Sequence, residues 1–186
     1  MESAPHLVLV GPMGAGKSSI GRRLARTCGL PFVDLDREIE TRAGTDIPMI
    51  FAHEGEAGFR RRERETLADL LEGAPCVLAT GGGAVLDPDN RARMRRRGFV
   101  VYLCIDVDTQ LARLANDRSR PLIVADDREA VLRRLAAERG PLYDAVADLT
   151  FPPTDPGPAE ATSRLAAMLA DRWPRTVAPA PAPDPT

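Results

Sequence analysis

Gly11-Pro12-Met13-Gly14-Ala15-Gly16-Lys17-Ser18 is the stretch from which the fold is read. It fits G-x-x-x-x-G-K-[ST], a loop that wraps phosphate oxygens. In front of it runs Leu7-Val8-Leu9-Val10, apolar and branched enough for a buried parallel strand. Behind it Ile20, Leu24 and Ala25 recur at helical spacing, and Gly29 closes the helix. Glycines let successive backbone N–H groups curl around a phosphate with no Cβ in the way. The helix N-terminus adds its partial positive charge. Gly14, Ala15, Gly16, Lys17, Ser18 and Ser19 are therefore the expected phosphate-binding residues of a nucleotide site. Lys17 reaches the β- and γ-phosphates, and the Ser18 hydroxyl is placed to ligate Mg²⁺. Lys and Arg total 25, yet Lys17 is the only lysine. A compact ammonium on a flexible stem is kept where a planar guanidinium cannot replace it.

Outward from the loop, acids and glycines gather at strand ends. Pro31-Phe32-Val33-Asp34-Leu35-Asp36 reads as a short strand finishing in two aspartates. In an open α/β sheet, ligands bind beyond the carboxyl ends of the strands, so both acids face the phosphate loop's crevice. Asp36 also suits the cap of a helix from Arg37 to Arg42. Ile47, Ile50 and Phe51 read as a small apolar turn, and a helix opens at Glu56 and runs to Leu71. Its inner face carries Phe59, Glu63 and Leu67; Arg61, Arg62 and Arg64 read as solvated charge paired with Glu65. Cys76 to Thr80 is a buried strand running into Gly81-Gly82-Gly83, backbone brought close to something. That strand ends without an acid, which leaves Asp34 as the acid on the metal side, acting through water.

Asn90 to Arg97 is an arginine-rich helix, read as a solvated face, and Phe99 to Ile105 is the next strand. Asp108 to Leu114 begins a helix that passes into Asn116-Asp117-Arg118-Ser119-Arg120-Pro121-Leu122, a mobile lid of about 116–127 in which Arg120 faces transferring phosphates. Val131, Leu132 and Leu135 mark a helix ending at Arg139; Asp148 to Phe151 is a last strand, and Glu160 to Ala170 a last helix. The sum is α/β: a three-layer domain over residues 1–173 with a five-stranded parallel sheet and right-handed crossovers. Residues 174–186, alternating Pro and Ala, read as a disordered tail.

Composition narrows the classes. A net charge of −2 gives no reason to expect nucleic acid or a membrane surface as partner. No apolar run approaches 18 residues, and no signal peptide is expected. Cys28, Cys76 and Cys104 are odd in number and scattered, reading as buried thiols of a cytoplasmic protein, and two histidines make a zinc site implausible.

With these landmarks placed, the chain resembles the shikimate kinases over about residues 6 to 170. The likeness rests on ordered motifs: Met13-Gly14-Ala15-Gly16-Lys17-Ser18, Asp34-x-Asp36, Phe59-Arg60-Arg61 with Glu63, Gly81-Gly82-Gly83, Arg120-Pro121-Leu122 and Arg139-x-Pro141-Leu142-Tyr143. The resemblance implies a P-loop kinase fold of nucleoside monophosphate kinase type, with an acceptor-binding segment over about 36–64. It implies ATP-dependent phosphorylation of the shikimate 3-hydroxyl, with Mg²⁺, by a monomer in aromatic amino acid biosynthesis. Lys17, Asp36 and Arg120 are then catalytic, with Asp36 orienting or deprotonating the attacking hydroxyl. Arg60 and Arg139 hold the shikimate carboxylate beside Gly81, Gly82 and Gly83. Ser18 coordinates Mg²⁺ with Asp34 behind it, Arg113 lies near the adenine, and Arg120, with Arg118 as a further candidate, lies on the phosphates. Two departures stand out. No arginine occurs in Pro152-Pro153-Thr154-Asp155-Pro156, where some members reach the adenine, and Met49 stands where an acid is common. The rival readings are a kinase of another small hydroxylated metabolite, gluconate-like, and a P-loop module that binds nucleotide without chemistry. The first has no particular use for Arg60 and Arg139 together with Asp36; against the second, Lys17, Ser18, Asp34, Asp36 and Arg120 are all present.

Overall fold

The computed structural model describes residues 4–115, 127–154 and 157–174. The expected lid, Arg118 and Arg120 with it, and the tail beyond Pro174 lie outside the described residues. Five parallel strands, β1 (His6–Val10), β2 (Phe32–Asp34), β3 (Val77–Ala79), β4 (Gly98–Leu103) and β5 (Leu149–Phe151), form one sheet in the order β2-β3-β1-β4-β5. Strand β1 is central, and Leu7 pairs with Val77 on one side and Phe99 on the other. Every residue of β1 is buried, which explains an unbroken apolar run in place of polar alternation.

The helices are α1 (Lys17–Cys28), α2 (Leu35–Ala43), α3 (Ile47–Glu72), α4 (Pro88–Arg97), α5 (Val107–Leu114), α6 (Arg128–Val146) and α7 (Pro158–Arg172). Successive strand residues point to opposite faces, so the sheet builds two cores. Leu7, Leu9, Val101 and Phe151 pack on Ile20 and Leu24 of α1 and Leu165 and Leu169 of α7. Val8, Val10, Leu78 and Val100 pack on Leu35 and Ile39 of α2, Leu67 and Leu71 of α3, and Met94 of α4. Met13, Leu114 and Leu132 form a smaller cluster joining α5 and α6 to the phosphate loop. Trp173 Nε1 donates to the Ala4 carbonyl at 2.7 Å, fastening the end of the last helix to the approach to β1.

The chain leaves β1 for α1 on one face, and leaves β3 for α4 on the other. The loops after β1 and β3 therefore part, and the crevice between them is the switch point where open α/β sheets bind ligands.

Four expectations are corrected. The turn read at Ile47 is helix: Asp46 caps it by accepting from Met49 N at 2.9 Å, and Pro48 sits in its first turn. Gly55, at φ 67°, breaks α3 before it continues to Glu72. Helix α6 does not stop at Arg139 but runs through Pro141 to Val146, because Tyr143 and Val146 are core residues. Arg61 and Arg62 pair with Glu54 across the break, and Arg64 with Asp87, rather than with Glu65. Of the three cysteines, all unbridged, only Cys76 is fully buried.

Candidate active site

The phosphate loop is shaped by backbone. Gly14 and Gly16 adopt φ of 78° and 91°, the left-handed region closed to most side chains. Gly16 is the N-cap of α1, and no side chain caps that terminus, so its first N–H groups face the loop's concavity. Lys17 Nζ donates to the Gly11 carbonyl at 2.7 Å and to the Pro12 carbonyl at 2.8 Å. The ammonium thus spans the loop it serves. Ser18 Oγ donates to Asp34 Oδ2 at 2.7 Å. The hydroxyl from the start of α1 and the carboxylate from the end of β2 form a pair of hard oxygen donors at the loop's edge. That is the donor chemistry a magnesium ion takes beside phosphate oxygens.

A pocket of about 250 Å³ opens beside the loop, lined by Gly14, Ser19, Arg113, Pro153, Gly157 and Ala161. Arg113 of α5 crosses its mouth, donating to the Gly14 carbonyl at 3.2 Å and to the Pro153 carbonyl at 2.9 Å. The loop after β5 lacks its own arginine, yet Arg164 of α7 stacks on Phe151 and donates to the Pro152 carbonyl. Two arginines from other elements hold the wall that the sequence left without one.

The second half of the site is built on Gly81-Gly82-Gly83. A Cβ on Gly81 would stand 2.6 Å from Asp36 Oδ1 and 3.2 Å from Glu63 Oε1. One on Gly83 would stand 2.5 Å from both terminal nitrogens of Arg60, and one on Gly82 would lie 3.7 Å from Arg139 Nη1. The three glycines are therefore a bare strip of backbone across which Asp36, Arg60, Glu63 and Arg139 lie side by side. Four elements contribute: α2, α3, the turn after β3, and α6. Asp36 lies in the first turn of α2 and does not cap it; the cap position belongs to Asp34.

Glu63 is a site residue that the sequence placed on the inner face of α3 without a task. Only 1% exposed, it accepts from Arg60 Nη1 at 2.7 Å. Burial raises its pKa, as does the charge of Asp36, while the guanidinium groups of Arg60 and Arg139 pull it down. Tyr143 is the other residue left without a role. Its hydroxyl donates to the Gly82 carbonyl at 2.5 Å, and its ring stacks on Tyr102 with centroids 5.1 Å apart. Arg139 Nε is buried with no hydrogen-bond partner among the described residues, an unspent cationic donor in the site.

The two halves meet at the phosphate loop. One is built to bind phosphates and offers hard oxygens; the other offers an acid and two arginines around glycine backbone that carries no side chains. The arrangement suits transfer of a phosphoryl group to a small, hydroxylated, anionic acceptor.

Comparison with known proteins agrees. The family model for shikimate kinase matches residues 13–170. A shikimate kinase from Xanthomonas oryzae pv. oryzae is 56% identical over 180 residues, covering 97% of this chain and 100% of its own length. One from Stenotrophomonas maltophilia is 57% identical over 176 residues, covering 94% of this chain and 97% of its own. The solved shikimate kinase from Acinetobacter baumannii in complex with shikimate superposes with a TM-score of 0.84 at 45% identity, covering 92% of this chain and 96% of that one.

Proposed function

Because the chain belongs to the shikimate kinase family, we propose a residue-level account of how it carries that family's reaction. The chain is a kinase that phosphorylates shikimate with ATP, giving ADP and shikimate 3-phosphate. The observation that carries the account is the gathering of Asp36, Arg60, Glu63 and Arg139 over the glycine strip, one loop away from Lys17 and Ser18.

Shikimate is a small triol acid. Its carboxylate is matched by Arg60 and Arg139, because guanidinium forks pair with carboxylates in two-point geometry. Its hydroxyls are matched by Asp36, an acceptor beside Gly81 that orients the attacking oxygen and takes its proton. Glu63 neutralises part of the Arg60 charge and fixes its rotamer, leaving Arg139 as the fuller cation. Lys17 exchanges its loop carbonyls for phosphate oxygens, drawing charge from the transferring group. Arg113 packs against the adenine in the neighbouring pocket, with Gly14, Ala15, Gly16, Ser18 and Ser19 lining the phosphate side. Arg120 of the lid, about 116–127, covers the phosphates on closure, and exclusion of water protects the phosphoryl group from hydrolysis. Residues 1–173 act as one catalytic domain with an acceptor-binding segment of about 36–64, working as a monomer in the cytoplasm. Among the described residues no helix is long and apolar enough to cross a membrane.

Mg²⁺ fits the Ser18–Asp34 pair, Ser18 as direct ligand and Asp34 through water. When bound, it neutralises charge on the nucleotide's phosphates.

The test is ADP release from ATP and Mg²⁺ with shikimate, quinate, gluconate and AMP offered separately. Turnover on shikimate alone is expected. Preference for gluconate or AMP would overturn the acceptor-site roles while leaving the nucleotide site intact.

A further inference from the structure

The Tyr143 hydroxyl has a place in the site that phosphoryl transfer does not itself require. It donates to the Gly82 carbonyl, and the charge of the Arg139 guanidinium beside it bears on the phenol. It therefore ties together two elements that are remote in sequence: the turn after β3 and the last turn of α6. The tie is short and enclosed. Tyr143 is 2% exposed, and its ring is held flat against Tyr102. A Cβ on Gly82 would stand 3.6 Å from the Tyr143 hydroxyl and 3.7 Å from Arg139 Nη1, so hydroxyl and guanidinium flank the same point of the glycine backbone. Burial raises the phenol to about 12, against the pull of Arg139 and Arg60, so the proton needed to donate to Gly82 stays on oxygen across the neutral range.

Glu63 faces Arg139 as a charge, but no hydrogen bond between them holds the guanidinium among the described residues. Arg139 forms no ion pair among those described, unlike Arg60, which Glu63 and Glu56 hold. Its Nε has no hydrogen-bond partner among the described residues. A long cation without an anchor spreads over many rotamers, and ordering it on binding costs affinity. We propose that Tyr143 is a positioning residue: its hydroxyl presets the Arg139 guanidinium and the Gly82 turn in the one arrangement that accepts the carboxylate of the acceptor. The inference rests on the reading of Arg139 as a carboxylate ligand.

The test compares Tyr143→Phe, Arg139→Ala and the double variant with the wild-type enzyme, using shikimate and its methyl ester as acceptors. Phenylalanine keeps the ring that stacks on Tyr102, and the melting temperature reports whether each variant is folded. Tyr143→Phe is expected to raise the KM for shikimate by roughly 3- to 10-fold, the effect of one lost hydrogen bond. The KM for ATP and kcat should move by less than about twofold, and the preference for shikimate over its ester should fall by a similar factor to the KM rise. In the Arg139→Ala background the same substitution should add less than about twofold, since the group it positions is gone. An equal loss for acid and ester would overturn the proposal, because a general loosening does not distinguish them. So would the same fold-change with Arg139 absent. An unchanged shikimate KM in Arg139→Ala would instead sink the carboxylate-ligand reading itself. If Tyr143→Phe is unfolded, Gly82 and Arg139 are not the hydroxyl's main clients and the proposal fails.

Discussion

Removing Arg60 should destabilise the fold in a way that depends on pH, and Glu63 is the reason. Glu63 is almost wholly enclosed and is held by Arg60 Nη1 at 2.7 Å. Truncation to alanine strips a buried carboxylate of its principal partner, which costs about 3–5 kcal/mol in buried pairs. The lower end applies here, because Arg139 also faces Glu63 and lends some charge, while Asp36 opposes it. For a domain of this size roughly 3 kcal/mol corresponds to a fall in melting temperature of about 10 °C near neutral pH. Burial already raises the folded pKa of Glu63, and loss of Arg60 raises it further. An acid with a raised folded pKa is fully compatible with folding below its unfolded value near 4.3, and costs stability as pH rises through the folded value. The deficit of Arg60→Ala should therefore be small near pH 5 and grow with pH by up to about 1.4 kcal/mol per unit until the variant's Glu63 ionises. Urea denaturation of wild type and variant from pH 5 to 8 reads this directly, and titrations common to both cancel in the difference. Adding Glu63→Gln should flatten the profile. A deficit equal at pH 5 and pH 8, or unaffected by Glu63→Gln, would refute the buried-pair reasoning.

Two further outcomes follow from contacts in the same site. Gly83→Ala places a Cβ 2.5 Å from both terminal nitrogens of Arg60, so the guanidinium must retreat by about 1 Å to reach van der Waals distance. Steady-state kinetics should show the shikimate KM rising roughly tenfold or more with the ATP KM little changed; an unaltered shikimate KM would remove Arg60 from the acceptor site. Asp34→Asn weakens the acceptor that holds Ser18 Oγ, and the Mg²⁺ concentration for half-maximal activity should rise about tenfold, the usual effect of losing an outer partner of a metal ligand. An unchanged Mg²⁺ dependence would mean that the pair serves only to join α1 to β2.

The sheet was legible because buried parallel strands write themselves as apolar runs, and five such runs stand between helical patterns. The nucleotide half of the site was legible because its parts are local: a loop, a helix start and the end of the adjacent strand. The helix at Ile47 was hidden by Gly55, whose left-handed turn splits α3 and makes its first part look too short to be helical. The end of α6 was misread because Gly140-Pro141 stops helices in isolation; here Tyr143 and Val146 in the core outweigh the missing N–H. Glu63 and Tyr143 stood in the motifs but were given no role, for a different reason. Their partners, Arg60 with Asp36 in one case and Gly82 with Arg139 in the other, are assembled from elements that only the tertiary fold brings together. An acid on the inward face of an amphipathic helix was the one available signal, since such a position is expensive unless it is matched.

The fastening of Trp173 to Ala4 spans 169 positions of the chain, and this has a bearing on how the enzyme is made. The strand that becomes the middle of the sheet leaves the ribosome first, while both its neighbours and the helix that covers α1 are still unmade. Long-range pairings of this kind close slowly, and an apolar strand that waits for its partners is exposed to other chains meanwhile. A nascent chain that ends short of α7 carries the whole phosphate-binding motif, yet the face of the sheet that α1 shares with α7 is only partly covered. The core around the phosphate loop is therefore expected to close fully only once α7 has emerged.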